Sequence, residues 1–355
     1  MNFNATWLQN YLSDRLGRAV TVLSLESFPR GSSRETWFGA YRLGNLAPPV
    51  EIVLRADHPS GAVDPTPLEQ EFFIYERLGG AGLPVARALW WEDDPAWAPR
   101  PFYIREKIEG SWNIPHYSDP APEYDALRIA VAKAHVEALA KVHAVDWQAL
   151  GFAERLPVPV DATQAARNYV DAAKARYNAR DGESLPIFLE AGEWLVDHAP
   201  TAARVCLCKG TNGLGEEVFR DGKVVALSDW EEVSIGDPAS DFAFMQGFAE
   251  PRLRDGKQIW GMEQALDHYR EVTGVTIQLS SVRYYQVVRA LNLVVMARNS
   301  AANIHAKSAV GHIRQAWTGT EVIHIAKQVL GMAMGLVPPL GPERFAELNQ
   351  TVDTQ

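Results

Sequence analysis

The chain has 355 residues, with 34 Lys and Arg against 44 Asp and Glu, a formal net charge of −10 and a pI near 5.4. That balance disfavours a dedicated nucleic-acid binder, because phosphate contacts need clustered Lys and Arg. The 47% hydrophobic content is too high for a disordered chain, and the length suggests two lobes, each able to bury a core. No apolar run reaches the length of about 18 residues that a membrane-spanning helix requires. The opening stretch MNFNATWLQNYLSDRLG has neither a basic start nor a continuous apolar core, so no secretory leader is expected. Cys206 and Cys208, two apart, make a poor disulfide pair in a strand and lack metal-ligand companions nearby in sequence. A reducing, cytoplasmic setting without a structural metal is the expectation.

Trp7, Leu8, Tyr11, Leu12 and Leu16 recur at three- and four-residue spacings, which predicts a helix over 5–16. Strand-like stretches follow at 19–28, 36–43 and 50–55, then a helix over 68–78 ending at Gly79-Gly80. Two more strands are expected within ARALWWED and RPFYIREKIEG, the second stopping at Gly110. Beyond that point the texture turns helical, with helices predicted over 125–145, 163–178, 186–197, 258–272, 281–302 and 308–335. Among them lies a β-rich island at 203–230, in which Arg220-Asp221-Gly222-Lys223 is a hairpin turn signal. The reading is α+β: a β-rich lobe over 1–110 and a mainly helical lobe over 111–355 carrying the hairpin.

That order of elements, with VVALSDWEEVSIGDPASDFA at 224–243 as its strongest stretch, resembles the aminoglycoside phosphotransferase / choline kinase family. The resemblance runs from about residue 20 to 335 and implies the bilobal fold of protein kinases. It further implies Mg²⁺, ATP and a small-molecule alcohol or its phosphate ester as ligands, while the charge balance and the absence of a long apolar run leave no nucleic-acid or membrane partner expected. Phosphoryl transfer needs a loop over the phosphates, a cation on them, acids for a divalent metal and a group to orient the nucleophile. PRGSSRETW at 29–37 offers Gly31 for close backbone approach and Ser32, Ser33 and Thr36 as hydroxyl donors; taken alone it reads equally well as a polar hairpin loop. Arg55 ends the strand VEIVLR, where the resemblance puts a phosphate-contacting cation. Its implied partner is Glu71, with Glu69 as the alternative, and a surface ion pair is the plainer reading.

Asp229 follows the apolar strand VVALS, so a carboxylate emerges at the end of a buried strand, which is costly unless it meets a cation or donors. The resemblance makes it a Mg²⁺ ligand. Asp237 and Asp241 look like structural acids that brace loops, and His143 reads as a packed core histidine. The loop CLCKGTNGLGEEVF departs from the family's His-Gly-Asp, four residues, Asn. Lys209 stands for His, Thr211 for Asp and Glu216 for Asn, and only Gly210 agrees. Threonine is no general base near neutral pH, while Glu216 or Glu217 can replace the Asn as an oxygen ligand. Lys209 could neutralise a phosphate or act as a base if desolvated, or it could simply pack and meet nearby acids.

Three functions remain open on these residues. One is ATP- and Mg²⁺-dependent phosphorylation of a small hydroxylated molecule. Another is elimination of phosphate from a phosphorylated alcohol, and the last is ligand binding without turnover. Arg30, Arg34, Arg55 and Lys209 are the cations expected near phosphate. The acceptor site is expected from 160–200 and 280–305, with Tyr284, Tyr285, Trp112, Tyr169, Met296, Arg298 and Asn299 as candidates. A strongly acidic cleft, which a polycationic acceptor would need, is not visible there.

Overall fold

The computed structural model describes residues 3–28, 33–44, 46–63, 66–179, 184–245, 247–306 and 313–338. Helix α1 (Ala5–Leu16) starts where the Asn4 side chain accepts the Trp7 amide at 2.9 Å, satisfying one otherwise orphaned donor. A five-stranded antiparallel sheet follows: β1 (Thr21–Phe28), β2 (Arg34–Arg42), β3 (Val50–Asp57), β4 (Ala88–Glu92) and β5 (Phe102–Glu106), in the order β1-β2-β3-β5-β4. Strand alternation divides its two faces. Ile52, Leu54, Phe102 and Ile104 join Trp7, Leu8, Tyr11 and Leu12 in one core cluster, whereas Tyr103 belongs to the cluster of α2 (Leu68–Leu78). Val53 and Arg55, being out of phase with Ile52 and Leu54, line a cleft.

After the sheet the chain passes Gly110, at φ +156°, where a Cβ would lie 2.5 Å from Val218 and 2.7 Å from the Phe219 carbonyl. Only glycine fits that close approach, and it lets Ser111 exchange two 2.8 Å backbone bonds with Phe219. The helical part comprises α3 (Asp125–His143), α4 (Ala165–Asn178), α5 (Pro186–Asp197), α6 (Ala239–Phe244), α7 (Met262–Thr273) and α8 (Leu279–Ala306), then α9 (Ile313–Trp317) and α10 (Ile323–Ala333). Short strands intervene: β6 (Cys206–Cys208) pairs with β9 (Ser234–Gly236), and β7 (Glu217–Arg220) with β8 (Lys223–Leu227). Asp221 and Gly222 both have positive φ, the geometry a two-residue hairpin loop demands.

Two helix expectations need correction. Residues 252–260 form a hairpin, β10 (Arg252–Arg254) and β11 (Lys257–Trp260), so the helix expected from 258 begins at Met262. Asp255-Gly256 repeats the positive-φ turn of Asp221-Gly222, within the same tetrapeptide Arg-Asp-Gly-Lys. The helix expected over 308–335 is described from Ile313 and is interrupted by a π turn at Thr318–Val322; residues 307–312 lie outside the described segments. Among the described residues, no helix is long and apolar enough to cross a membrane.

One core cluster crosses between the two parts, joining Phe73, Ile74 and Tyr103 to Val142, Leu207, Leu227 and Trp230. The loop after β6 is fixed from beneath by Asp241, whose carboxylate accepts the Lys209 and Gly210 amides at 2.8 and 2.7 Å and meets His143 Nε2 at 2.9 Å. His143 Nδ1 lies 2.9 Å from the Tyr269 hydroxyl, so this histidine is a core group tied at both nitrogens. Asp241→Ala removes three buried partners at once. We expect it to lower unfolding stability by about 3 kcal/mol or more, read from urea denaturation; a loss within about 0.5 kcal/mol would refute the bracing role.

Candidate active site

The cleft between the two parts encloses 560 Å³ and takes walls from both. Of the loop residues expected to contact phosphate, Gly31 and Ser32 lie outside the described segments, as does Arg30, while Ser33 and Thr36 are on the cleft wall. Arg55 reaches the Glu71 carboxylate at 3.0 Å and Glu231 at 3.2 Å. Glu71 also accepts the Tyr103 hydroxyl at 2.8 Å and Arg34 Nε at 3.4 Å. Burial alone would raise Glu71, but Arg55, Arg34 and the Tyr103 hydroxyl hold it below its ordinary value. Glu69 instead pairs with Arg155 at 2.8 Å on the exposed side. Arg34, which also pairs with Asp57 and lies 3.7 Å from Glu231, is committed to carboxylates.

From the opposite wall, β8 ends and delivers Asp229 in a left-handed backbone conformation, φ +61°. Aspartate tolerates that region better than most residues, yet it is uncommon and typical of functional turns. Asp229 Oδ1 is buried with no hydrogen-bond partner. Glu216 is pushed up to about 7, first by burial and then by the Asp229 charge. Asp229 is raised by burial against the pull of Arg55 and Lys209, and Glu231 well above its ordinary value by burial, Asp229 and Glu71. An orphaned buried oxygen beside a second carboxyl, in a cluster richer in acids than in cations, fits an oxygen-coordinated divalent metal.

Lys209 is positioned otherwise than a phosphate ligand would be. Fully buried, its ammonium donates to the Thr211 carbonyl, lies 3.5 Å from Glu217 and sits 5.7 Å over the Trp230 ring. It borders neither this cleft nor the cavity below it. Glu217 is equally buried, 3.3 Å from His135 Nε2, and Lys209 and His135 hold its carboxyl low despite burial. Lys209 therefore serves Glu217, not a ligand; Glu217 Oε1 is taken by Lys209 and His135, while its Oε2 is buried without a hydrogen-bond partner.

Thr211 donates its hydroxyl to Glu232 at 2.9 Å. That approach depends on Gly210, at φ +81°, where a Cβ would fall 2.3 Å from the Glu232 carbonyl oxygen. Gly210 and Glu232 border a second cavity of 240 Å³, and Glu231 borders both cavities. Tyr169 and Tyr285 line this lower cavity as expected, but Trp112 belongs to the upper cleft, and Tyr284 donates to the Leu195 carbonyl in the core. Met296, Arg298 and Asn299 line neither. The residues missed were Arg289 and Asn292, four and seven positions after Tyr285 on one helical face, together with Glu232. His143, Cys206 and Cys208 also converge, with ligand atoms within 4.8 Å of one another, although both His143 nitrogens are already engaged.

The carboxyls set a pH dependence of stability. Glu216 at about 7, Asp237 lifted by burial to about 6, and the raised Asp229 and Glu231 all bind protons more tightly folded than unfolded. Their contribution is complete below the unfolded values of 3.8 and 4.5 and is lost as pH rises through the folded ones. Glu71 and Glu217, held low, act only in the acid range below this window. The metal-free Tm should therefore fall between about pH 5.5 and about pH 7.5, with a shallower slope in Glu216→Gln. A flat profile, or an unchanged slope in the variant, would contradict the arrangement.

The phosphotransferase enzyme family model matches residues 25–273, which is 249 of the 355 positions. Mouse acyl-CoA dehydrogenase family member 10 is 31% identical over 248 residues, covering 67% of this chain and 21% of that protein. Rat acyl-CoA dehydrogenase family member 11 is 26% identical over 320 residues, 83% of this chain and 39% of its own length. The chain thus spans about a fifth to two fifths of these relatives. Among solved structures, an aminoglycoside phosphotransferase-like protein of Ralstonia eutropha JMP134 superposes with a TM-score of 0.67 at 21% identity, over 94% of this chain and 99% of the other. Macrolide 2′-phosphotransferase MphH from Brachybacterium faecium gives 0.56 at 19% identity, over 95% and 99%. A thermostable mutant of aminoglycoside phosphotransferase APH(4)-Ia, solved with AMP-PNP and hygromycin B, gives 0.54 at 15%, over 92% and 99%. The β-sheet part, the helical part and the cleft between them have the kinase-like architecture, and the chain belongs to the phosphotransferase enzyme family.

Proposed function

We propose that this chain transfers the γ-phosphoryl group of ATP to a hydroxyl of a small molecule. The observation that carries the reading is the pair of cavities sharing the Glu231 wall, an upper cleft with phosphate- and metal-type side chains and a lower one with apolar and polar walls. A donor and an acceptor each need a chamber, and the chambers must meet where the phosphoryl group passes. Elimination of phosphate from a single substrate needs only one.

In this reading the upper cleft takes the nucleotide, with Phe38, Val53 and Leu227 beside the base and Ser33 and Arg55 toward the phosphates. Glu71 holds Arg55 in place and keeps its fork directed. Asp229 and Glu216 would hold Mg²⁺, which supplies charge neutralisation on the phosphate oxygens. Thr211 occupies the place of the family's catalytic aspartate and cannot take a proton, but Glu232 stands 2.9 Å from its hydroxyl. Glu232 is accordingly the carboxylate that accepts the proton of the attacking hydroxyl, and Thr211 orients it. A base supplied from residue 232 favours turnover over a purely binding role. The relatives spanning acyl-CoA dehydrogenase names match only in part, so their whole-protein activities do not enter this reading.

Two measurements test it. MgATP should raise the Tm of the wild-type chain, an effect lost with EDTA and in Asp229→Asn, while the metal-free Tm of Asp229→Asn should exceed that of wild type because a buried charge is gone. ADP release from MgATP, with hydroxylated small molecules or water as acceptor, should fall about 100-fold or more in Glu232→Gln without loss of nucleotide binding. Absence of any MgATP effect on wild-type stability would sink the proposal.

A further inference from the structure

The lower cavity carries an electrostatic signature of its own. Its walls are two helical faces, Asn168, Tyr169, Ala172 and Arg176 of α4, and Tyr285, Val288, Arg289 and Asn292 of α8, closed by Leu156, Val233, Ile235 and Phe244. Arg34 and Arg55 share Glu71 and Glu231, and Arg252 pairs with Asp125. Arg289 differs. Its guanidinium stacks 3.6 Å from the centre of the Phe244 ring and makes one long bond, 3.4 Å, to the Phe244 carbonyl. Among the described residues no carboxylate lies within ion-pair distance of it. Burial lowers its pKa, and the Glu232 charge, acting from farther off, only partly opposes that. A half-buried arginine stacked on an aromatic ring at the wall of this cavity is a preformed seat for an anion.

We propose that this cavity takes a small organic acid with an apolar body, its carboxylate paired with Arg289. The proposal rests on the reading of this cavity as the acceptor chamber, and it names the class of acceptor: a hydroxylated carboxylic acid, with the hydroxyl directed to Glu232 and the carboxylate to Arg289. At 240 Å³ the chamber falls below the range of about 300–1,000 Å³ usual for drug-sized ligands, which disfavours multi-ring sugars. Arg155, Arg176 and Arg289 on its wall, against Glu231 and Glu232, disfavour polyamines as well. Neutral alcohols of the same length would leave the guanidinium without a partner, so charge and not only size sets the preference.

The test needs no nucleotide, so it can fail independently of phosphotransfer. Hexanoate, 6-hydroxyhexanoate, hexan-1-ol, hexylamine and inorganic sulfate are titrated into the full chain by calorimetry and followed by Tm. Both carboxylates should bind and raise Tm, at least about tenfold more tightly than the alcohol or the amine, because the ion pair forms only with the acids. Arg289→Met should lose that preference and Arg289→Lys should keep part of it. Equal affinity for hexanoate and hexan-1-ol, tighter binding of hexylamine, or sulfate binding as well as hexanoate would each overturn the proposal. So would a preference for carboxylate that survives in a folded Arg289→Met. If the Met variant does not fold, the charge series on wild type and the Lys variant still decide. Should carboxylates bind as expected while MgATP has no effect, the anion site stands and the phosphotransferase reading falls.

Discussion

Glu231 and Glu71 hold the two halves of this molecule in register. Arg34 and Arg55 project from neighbouring strands of the sheet, Glu71 comes from the helix behind it, and Glu231 arrives from the other part of the chain. Both guanidiniums meet at Glu71, whose carboxyl they hold low, Arg34 also takes Asp57, and both approach Glu231, so removing any one of these largely buried groups would be costly. The relative position of the sheet and the hairpin, and hence the cleft, is set by this exchange together with the apolar cluster around Trp230. Because Arg55 spans both acids, its remaining donors are directed by geometry and not by solvent.

Beside that set stands one with acids in excess. Asp229 and Glu216 line the upper cleft and Glu232 the lower cavity, and the buried Lys209 pairs with Glu217. The protein tolerates the excess by protonating: Glu216 is raised to about 7 and Asp229 upward too. Metal ions compete for the same oxygens with those protons, so stability and metal occupancy are linked through one pair of carboxyls. Sites arranged for function commonly carry such local cost, and the left-handed Asp229 is a second instance in the same turn.

Much of the scaffold was legible before any coordinates. Period-two alternation in VEIVLR separates Ile52 and Leu54 from Val53 and Arg55, and that alone directs Arg55 to the side away from α1. The Arg-Asp-Gly-Lys turn was read at 220–223 and overlooked at 254–257, where a following helical pattern masked a two-strand hairpin. The site was harder. Thr211 and Glu232 are 21 residues apart, and no spacing rule joins them; the contact exists because β6 pairs with β9 and brings both strand ends together. Arg289 was hidden among the many polar positions of a long helix, since sequence shows a face only once a neighbour such as Tyr285 is known to border a cavity. Lys209 stayed ambiguous for the opposite reason: a cation beside a phosphate-type loop suits a ligand as well as a buried acid, and only the fold turns its side chain inward to Glu217.

The close approach at Gly210 has a wider consequence. Of the loop pattern implied by the family, the glycine alone is retained, and it is also the residue with no space for a side chain against the Glu232 backbone. Two chain segments touching at that point can each present a functional group to the same small volume. Identity of the group and identity of the segment that carries it then become separable, so a reactive oxygen can migrate from one segment to the other while the volume it serves stays put. Searching such folds for an acid at one fixed position would miss it; searching the volume around the contact would not.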